Sequence, residues 1–132
     1  RRRVELRVGD GRGLPPVFVN VTAVESCLVN LVKNALDATE AGGSVEVGAQ
    51  VATRDGRLGV TLTVQDDGSG IDPAVLSRIF EPFFTTKPAG RGTGLGLSLV
   101  RKIVDAHRGH VEMSSEVGVG TCARVWFPAE GQ

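Results

Sequence analysis

From Val45 to Val64 the chain carries two alternating runs joined by a tight turn, and this pattern limits the possible folds more than any other stretch. Val45, Val47, Ala49 and Val51 alternate with Glu46, Gly48 and Gln50, the two-residue period of a half-buried strand. Arg54-Asp55-Gly56-Arg57 reverses the chain, and Val60, Leu62 and Val64 make a second strand, so an antiparallel hairpin is expected. The C-terminal stretch repeats the device. Residues 111–115 read as a strand and 118–120 as a turn, and Ala123, Val125 and Phe127 then share one face of a returning strand. Tight turns between neighbouring strands argue against an all-parallel sheet.

Helical periods fill the space between these strands. Apolar residues recur at steps of three and four over residues 21–39, with Val24, Cys27, Leu28, Leu31, Ala35 and Ala38 as the buried stripe. Asn20 can cap this helix, as can a box made by Thr22 and Glu25, and Gly42-Gly43 ends it. Asp72-Pro73 opens a short helix expected to run through Ile79. Another spans about residues 95–106, with Leu99, Val100, Ile103 and Val104 turned inward. Residues 4–8 read as an edge strand, 17–19 as a short strand and 80–92 as a mobile loop. The pattern predicts an α/β chain: a two-layer α+β sandwich of one domain over residues 1–132, with a mixed, mostly antiparallel sheet and helices on one face.

Fifteen basic residues balance fifteen acidic ones, so no global field draws nucleic acid or an anionic membrane to this chain. Arg1-Arg2-Arg3 reads as a solvated end. Cys27 and Cys122 have no metal-type spacing, and both are expected to be buried thiols of a reducing compartment. No stretch reaches the ~18 apolar residues of a membrane span. The chain is cytoplasmic in character, which is compatible with a membrane-anchored parent protein.

Three segments carry polar chemistry. Asn30, Asn34 and Asp37 stand four and three residues apart on one helix face, at the margin of the apolar stripe. An amide oxygen there suits a hard cation such as Mg²⁺, although polar residues can also simply edge a core. Asp66-Asp67-Gly68-Ser69-Gly70-Ile71 follows the strand ending near Val64. Its carboxylate can accept from an exocyclic amine while its glycines pass closely around a flat ring; an ordinary turn is the plainer explanation. Gly90-Arg91-Gly92-Thr93-Gly94-Leu95-Gly96-Leu97-Ser98 leads into a helix, where bare backbone amides favour phosphate. This run is not a P-loop and does not complete GxGxxG. Gly118, Gly120 and Ala123 fit a relaxed GxGxxA but precede a strand, which excludes a Rossmann site.

In this order and spacing the segments resemble the GHKL ATP-binding superfamily of gyrase, Hsp90, MutL and histidine kinases. The run from Asn30 to Ala38 resembles its asparagine box, and Asp66-x-Gly68-x-Gly70 its first glycine box. Ile79-Phe80-Glu81-Pro82-Phe83-Phe84-Thr85-Thr86-Lys87 is similar to the phenylalanine box, and the GTGLGL run from Gly92 to Leu97 to the second glycine box. The Gly120-Thr121 turn and Phe127-Pro128 resemble the family's last hairpin, so the likeness extends from about Val17 to Pro128.

The resemblance implies the Bergerat fold, with ATP and Mg²⁺ as ligands. It makes Asn34 the Mg²⁺ ligand and Asp66 the contact to the adenine amino group, with a water shared by Thr121. Asn30, Asn34 and Lys87 form the implied catalytic set. Asn30, Asn34, Asp37, Asp66, Gly68, Gly70, Ile71, Phe80, Lys87, Arg91, Gly92, Thr93, Gly94, Leu95, Gly96, Leu97 and Thr121 form the implied nucleotide contacts, with residues 80–92 as a lid. Asp37 departs from many relatives, and its direction is left open.

ATP-hydrolysing members carry a glutamate one turn before the Mg²⁺ asparagine, and here that position is Asn30. An amide cannot take a proton from water at neutral pH. The resemblance is therefore to sensor histidine kinases of the nitrogen-regulation and dicarboxylate-sensor type. Their nucleophile is an imidazole on a separate dimerisation domain, expected to be absent here, and a response regulator acts downstream. A homodimeric parent and a monomeric isolated domain are expected. His107 and His110 are the only histidines, and each is expected to be structural. Two other readings stand beside this one: a GHKL ATPase with a base from elsewhere, and an inert nucleotide-binding or interaction module.

Overall fold

The alternating runs pair into a five-stranded sheet that carries the helices on one side. The computed structural model describes residues 5–8, 13–17, 19–84 and 96–129. The strands are β1 (Glu5–Val8), β2 (Ser44–Arg54), β3 (Arg57–Asp66), β4 (His110–Glu116) and β5 (Gly120–Pro128). The helices are α1 (Val21–Ala38), α2 (Pro73–Leu76) and α3 (Gly96–Ala106). Strand order is β1-β2-β3-β5-β4, with β1 parallel to β2 and the other neighbours antiparallel. This is the mixed, mostly antiparallel sheet read from the sequence.

Local chemistry explains the pairing. Arg54 faces Arg57 across a two-residue loop, Asp55-Gly56, whose φ angles are 52° and 76°. Two positive φ values give the mirror-image turn that matches strand twist, and Asp-Gly is among the pairs that tolerate it best. The register then sets Val47 against Val64 and Val64 against Ala123, so one face is apolar across three strands.

That face meets α1 and α3. Cys27, Leu31 and Ala35 of α1 and Val100 and Val104 of α3 are buried against Val45, Val64, Ala123, Val125 and Phe127. Leu99 is 42% exposed, contrary to expectation, because Val100 and Val104 define the buried line and Leu99 lies about 100° around the helix. α2 stops at Leu76 and not at Ile79, since Arg78 and Ile79 bond back three residues, to Val75 and Leu76. Val17 makes a single bridge to Ala129 in place of a strand, and Phe18 lies outside the described residues. No helix among the described residues is long and apolar enough to cross a membrane.

Among the described residues no helix packs on the opposite face. Trp126 lies there over Gly59, its Nε1 donating to the Ala52 carbonyl at 2.9 Å. Arg54 pairs with Glu112, which Arg124 approaches at 4.0 Å. Cys122 belongs to this side, between Gln65 and Ser114 in register, and is half-buried where a buried thiol was expected. Cys27 is buried, and both thiols are free.

Candidate functional site

The site is built outward from α1. Its N-cap is Asn20, whose Oδ1 accepts from the Ala23 amide at 3.0 Å, so the Thr22 box is not used. With Cys27, Leu31 and Ala35 fixed in the core, the adjacent line of Ser26, Asn30, Asn34 and Ala38 falls at the core margin and is half-buried. Asp37 lies on the next line with Glu25, Val29 and Lys33, and is exposed.

Two residues of the marginal line, Asn30 and Ala38, touch other elements. Asn30 Nδ2 donates to the Ser26 carbonyl at 2.9 Å, which turns Oδ1 toward the start of α3. A Cβ at Gly96 would stand 2.8 Å from that oxygen, so only glycine lets α3 begin there without displacing Asn30. Two turns along α1, the Ala38 carbonyl accepts from the Ser69 amide at 3.3 Å, and a Cβ at Gly68 would overlap it. Asn34 is one turn from each contact, about 6 Å along the axis. One helix line thus joins the start of α3, Asn34 and the loop after β3.

Asp66 ends β3 on the helix-facing side and is only 7% exposed. Its Oδ1 accepts from the Gly68 amide at 2.9 Å. Burial raises its carboxyl above the ordinary carboxylate range, and the charge of Asp67 adds to this, while the Gly68 and Thr121 backbone amides pull the other way. Asp67 itself turns outward and accepts from the Ser44 amide at 2.9 Å, tying the loop to β2. Thr121 is the register partner of Asp66, and Ser115 that of Thr121.

Ser115 has no counterpart among the residues singled out from the sequence. Its hydroxyl lies 2.8 Å from Thr121 Oγ1 and accepts from the Ile71 amide at 2.7 Å. The one available signal was its place opposite Thr121 on a core-facing strand position. Gly70 brings the loop against Glu116 at the end of β4, and the Ser69 carbonyl accepts from the Gly118 amide in the turn beyond it at 2.8 Å. Phe80 is half-buried, with the Arg101 guanidinium 5.5 Å from its ring centre, and Leu97 packs on the core. Phe83 is 74% exposed with φ 65°. Lys87, Arg91, Gly92, Thr93, Gly94 and Leu95 lie outside the described residues.

Among the described residues, no cluster of three or more His, Cys, Asp or Glu could hold a metal ion. A cation here would need an amide oxygen such as that of Asn34 together with ligand oxygens and water. His107 is engaged elsewhere. Its Nε2 accepts from the Asn20 amide at 3.0 Å and its Nδ1 faces the Ile103 carbonyl at 2.8 Å, which clamps the end of α3 to the start of α1. His110 leans on Trp126, with ring centres 5.6 Å apart.

The raised Asp66 carboxyl has a measurable consequence. A folded-state pKa above the unfolded one means the fold holds this proton more tightly, so stability falls as pH rises from about 4 through the folded value. Asp66→Asn removes that titration. In the absence of nucleotide, its melting temperature is expected to exceed that of the parent chain by a margin that grows across this window and then stays constant. A margin independent of pH would show that ionising this buried carboxyl costs the fold nothing.

The family profile described as histidine kinase-, DNA gyrase B-, and HSP90-like ATPase matches residues 19–131. The chain is 40% identical over 136 residues to the sensor kinase CckA of Brucella abortus (strain 2308), a match covering 95% of this chain and 14% of that protein. It is 38% identical to the sensory histidine kinase/phosphatase NtrB of Rhizobium meliloti (strain 1021), covering 97% and 36%. The chain therefore spans only a minor part of these relatives. The solved catalytic domain of histidine kinase ThkA superposes with a TM-score of 0.78 at 31% identity, covering 95% of this chain and 80% of that one. Full-length ShkA in complex with AMPPNP gives 0.79 at 31% identity, covering 95% and 25%.

Proposed function

Because the chain belongs to the histidine kinase-, DNA gyrase B-, and HSP90-like ATPase family, as a catalytic domain of the sensor histidine kinase type, we propose that it binds ATP with Mg²⁺ and donates the γ-phosphoryl group to a histidine on a separate dimerisation domain. The observation that carries this reading is the single line of α1 along which Asn30 meets Gly96 and Ala38 meets Gly68, with Asn34 between them. Residues 1–132 act in this proposal as one ATP-binding unit.

Each group has a task set by its chemistry. Asp66 accepts from the adenine amino group, and Thr121 faces the neighbouring ring edge. Gly68 and Gly70 let the loop close on the base, with Ile71 beside it. Asn34 would hold the Mg²⁺ ion, which supplies charge neutralisation at the phosphates. Gly92, Thr93, Gly94, Leu95, Gly96 and Leu97 offer amides to the triphosphate, and Lys87 and Arg91 add positive charge. Phe80 braces the lid through Arg101, and Asp37, exposed beside Lys33, stands at the margin of the site.

Phosphoryl transfer then needs little beyond placement. An imidazole nitrogen attacks the γ-phosphorus, the bond to the bridging oxygen breaks, and ADP leaves. Asn30 cannot replace a carboxylate as base, and its amide already donates to Ser26. Attack by water is therefore unassisted, and hydrolysis by this chain alone is slow. A response regulator receives the phosphoryl group afterwards; the parent protein is a homodimer and the isolated chain a monomer.

The test uses a separately made histidine-bearing dimerisation domain from a relative and γ-labelled ATP. Label is expected on that domain and not on this chain. Label retained on His107 or His110, or rapid ATP hydrolysis without any acceptor, would overturn the reading.

A further inference from the structure

We propose that Ser115 is a positioning residue for the nucleotide base, directing the Thr121 hydroxyl so that adenine is preferred; this rests on the nucleotide-binding reading above. Three consecutive strands place Asp66, Thr121 and Ser115 side by side in register on the helix-facing side. Ser115 has one proton and two lone pairs. The Ile71 amide, 2.7 Å away, can only donate, and so occupies a lone pair.

Two groups compete for the Ser115 proton. The Gly120 carbonyl lies at 3.1 Å and can only accept, whereas Thr121 Oγ1 lies at 2.8 Å and can do either. Ser115 donates to the Gly120 carbonyl while Thr121 donates to Ser115, which satisfies all three contacts; once a ligand accepts the Thr121 proton, Ser115 can turn its own proton to Thr121 Oγ1 instead. Ser115 thereby supports Thr121 as a donor to a group in front of the strand end. Beside it the ionised Asp66 can only accept. An acceptor next to a donor complements adenine, whose amino group donates and whose N1 accepts. Guanine presents the reverse pair, O6 accepting and N1–H donating.

Ser115 also holds the Ile71 amide, so a general loosening of the loop must be separated from loss of the directed hydroxyl. Affinities for Mg²⁺-ATP and for Mg²⁺-1-deaza-ATP, which lacks the N1 acceptor, make that separation. Ser115→Ala is expected to weaken ATP binding about tenfold, one neutral hydrogen bond, while changing 1-deaza-ATP by less than about twofold. Ser115→Thr is expected to restore ATP binding. Thr121→Val, which leaves the Ile71 contact intact, is expected to show the same selective loss and serves if Ser115→Ala folds poorly. Equal losses for both nucleotides, or an unchanged preference in Thr121→Val, would overturn the inference. Failure of the unaltered chain to bind ATP at all would instead sink the nucleotide reading, and this inference with it.

Discussion

Replacing Asn34 with alanine is expected to lower phosphoryl transfer to an added dimerisation domain by at least about 100-fold, the scale on which removal of one preorganised electrostatic group acts. Asn34 sits midway between two close approaches to α1, so its place on the helix is fixed by the contacts of Asn30 with Gly96 and of Ala38 with Gly68. Alanine suits a helix better than asparagine, and the position is at the core margin and not inside it. The fold is therefore expected to survive, with a melting temperature close to that of the parent chain. Mg²⁺ dependence separates the possible causes. The variant's residual activity is expected to rise with Mg²⁺ concentration, as a lost ligand requires. Full transfer at ordinary Mg²⁺ would remove Asn34 from the metal site.

Asp66→Asn is expected to weaken ATP binding by about 100-fold or more, measured by titration calorimetry. The side-chain oxygen of asparagine can keep the bond from the Gly68 amide, so the loop retains its local support. What changes is the second oxygen, which becomes an amino group facing another amino group on the base. A buried site designed to accept one hydrogen bond rejects a donor strongly, and two misplaced partners make a 2.7 kcal/mol loss, about 100-fold, a modest figure. The same variant is expected to be the more stable protein when no nucleotide is present, because the ionised carboxyl is disfavoured by burial. Weaker binding with higher stability identifies a functional carboxylate. Weaker binding with lower stability would mean that Asp66 chiefly supports the loop.

The hairpin of β2 and β3 was legible because two local rules agreed: a two-residue period on both arms and an Asp-Gly pair between them. The helix α1 was legible for the same reason, with Asn20 at its head. Leu99 misled because residues 99, 100, 103 and 104 fit two adjacent helix lines, and only contact with the sheet chooses between them. Within the site, the spacing of Asn30 and Asn34 showed that they share a face, but not that Gly96 would lie against it. That contact joins residues 66 apart in sequence and depends on how α1 and α3 pack. Ser115 was hidden for a stronger version of the same reason. Its significance comes from strand register and from an amide 44 residues away, and a serine within a strand carries no mark of either. The expected lid residues Lys87 and Arg91 lie outside the described residues.

Trp126 has a practical consequence for following this protein in solution. It is the only tryptophan, and it projects from the side of the sheet opposite Asp66 and α1, against Ala52 and His110. Its emission is a reporter of whether the sheet is assembled, and the sheet keeps the indole out of direct contact with whatever occupies the other side. Fluorescence melts therefore read stability directly in every variant considered above, while occupancy has to be read by heat, label or a coloured nucleotide.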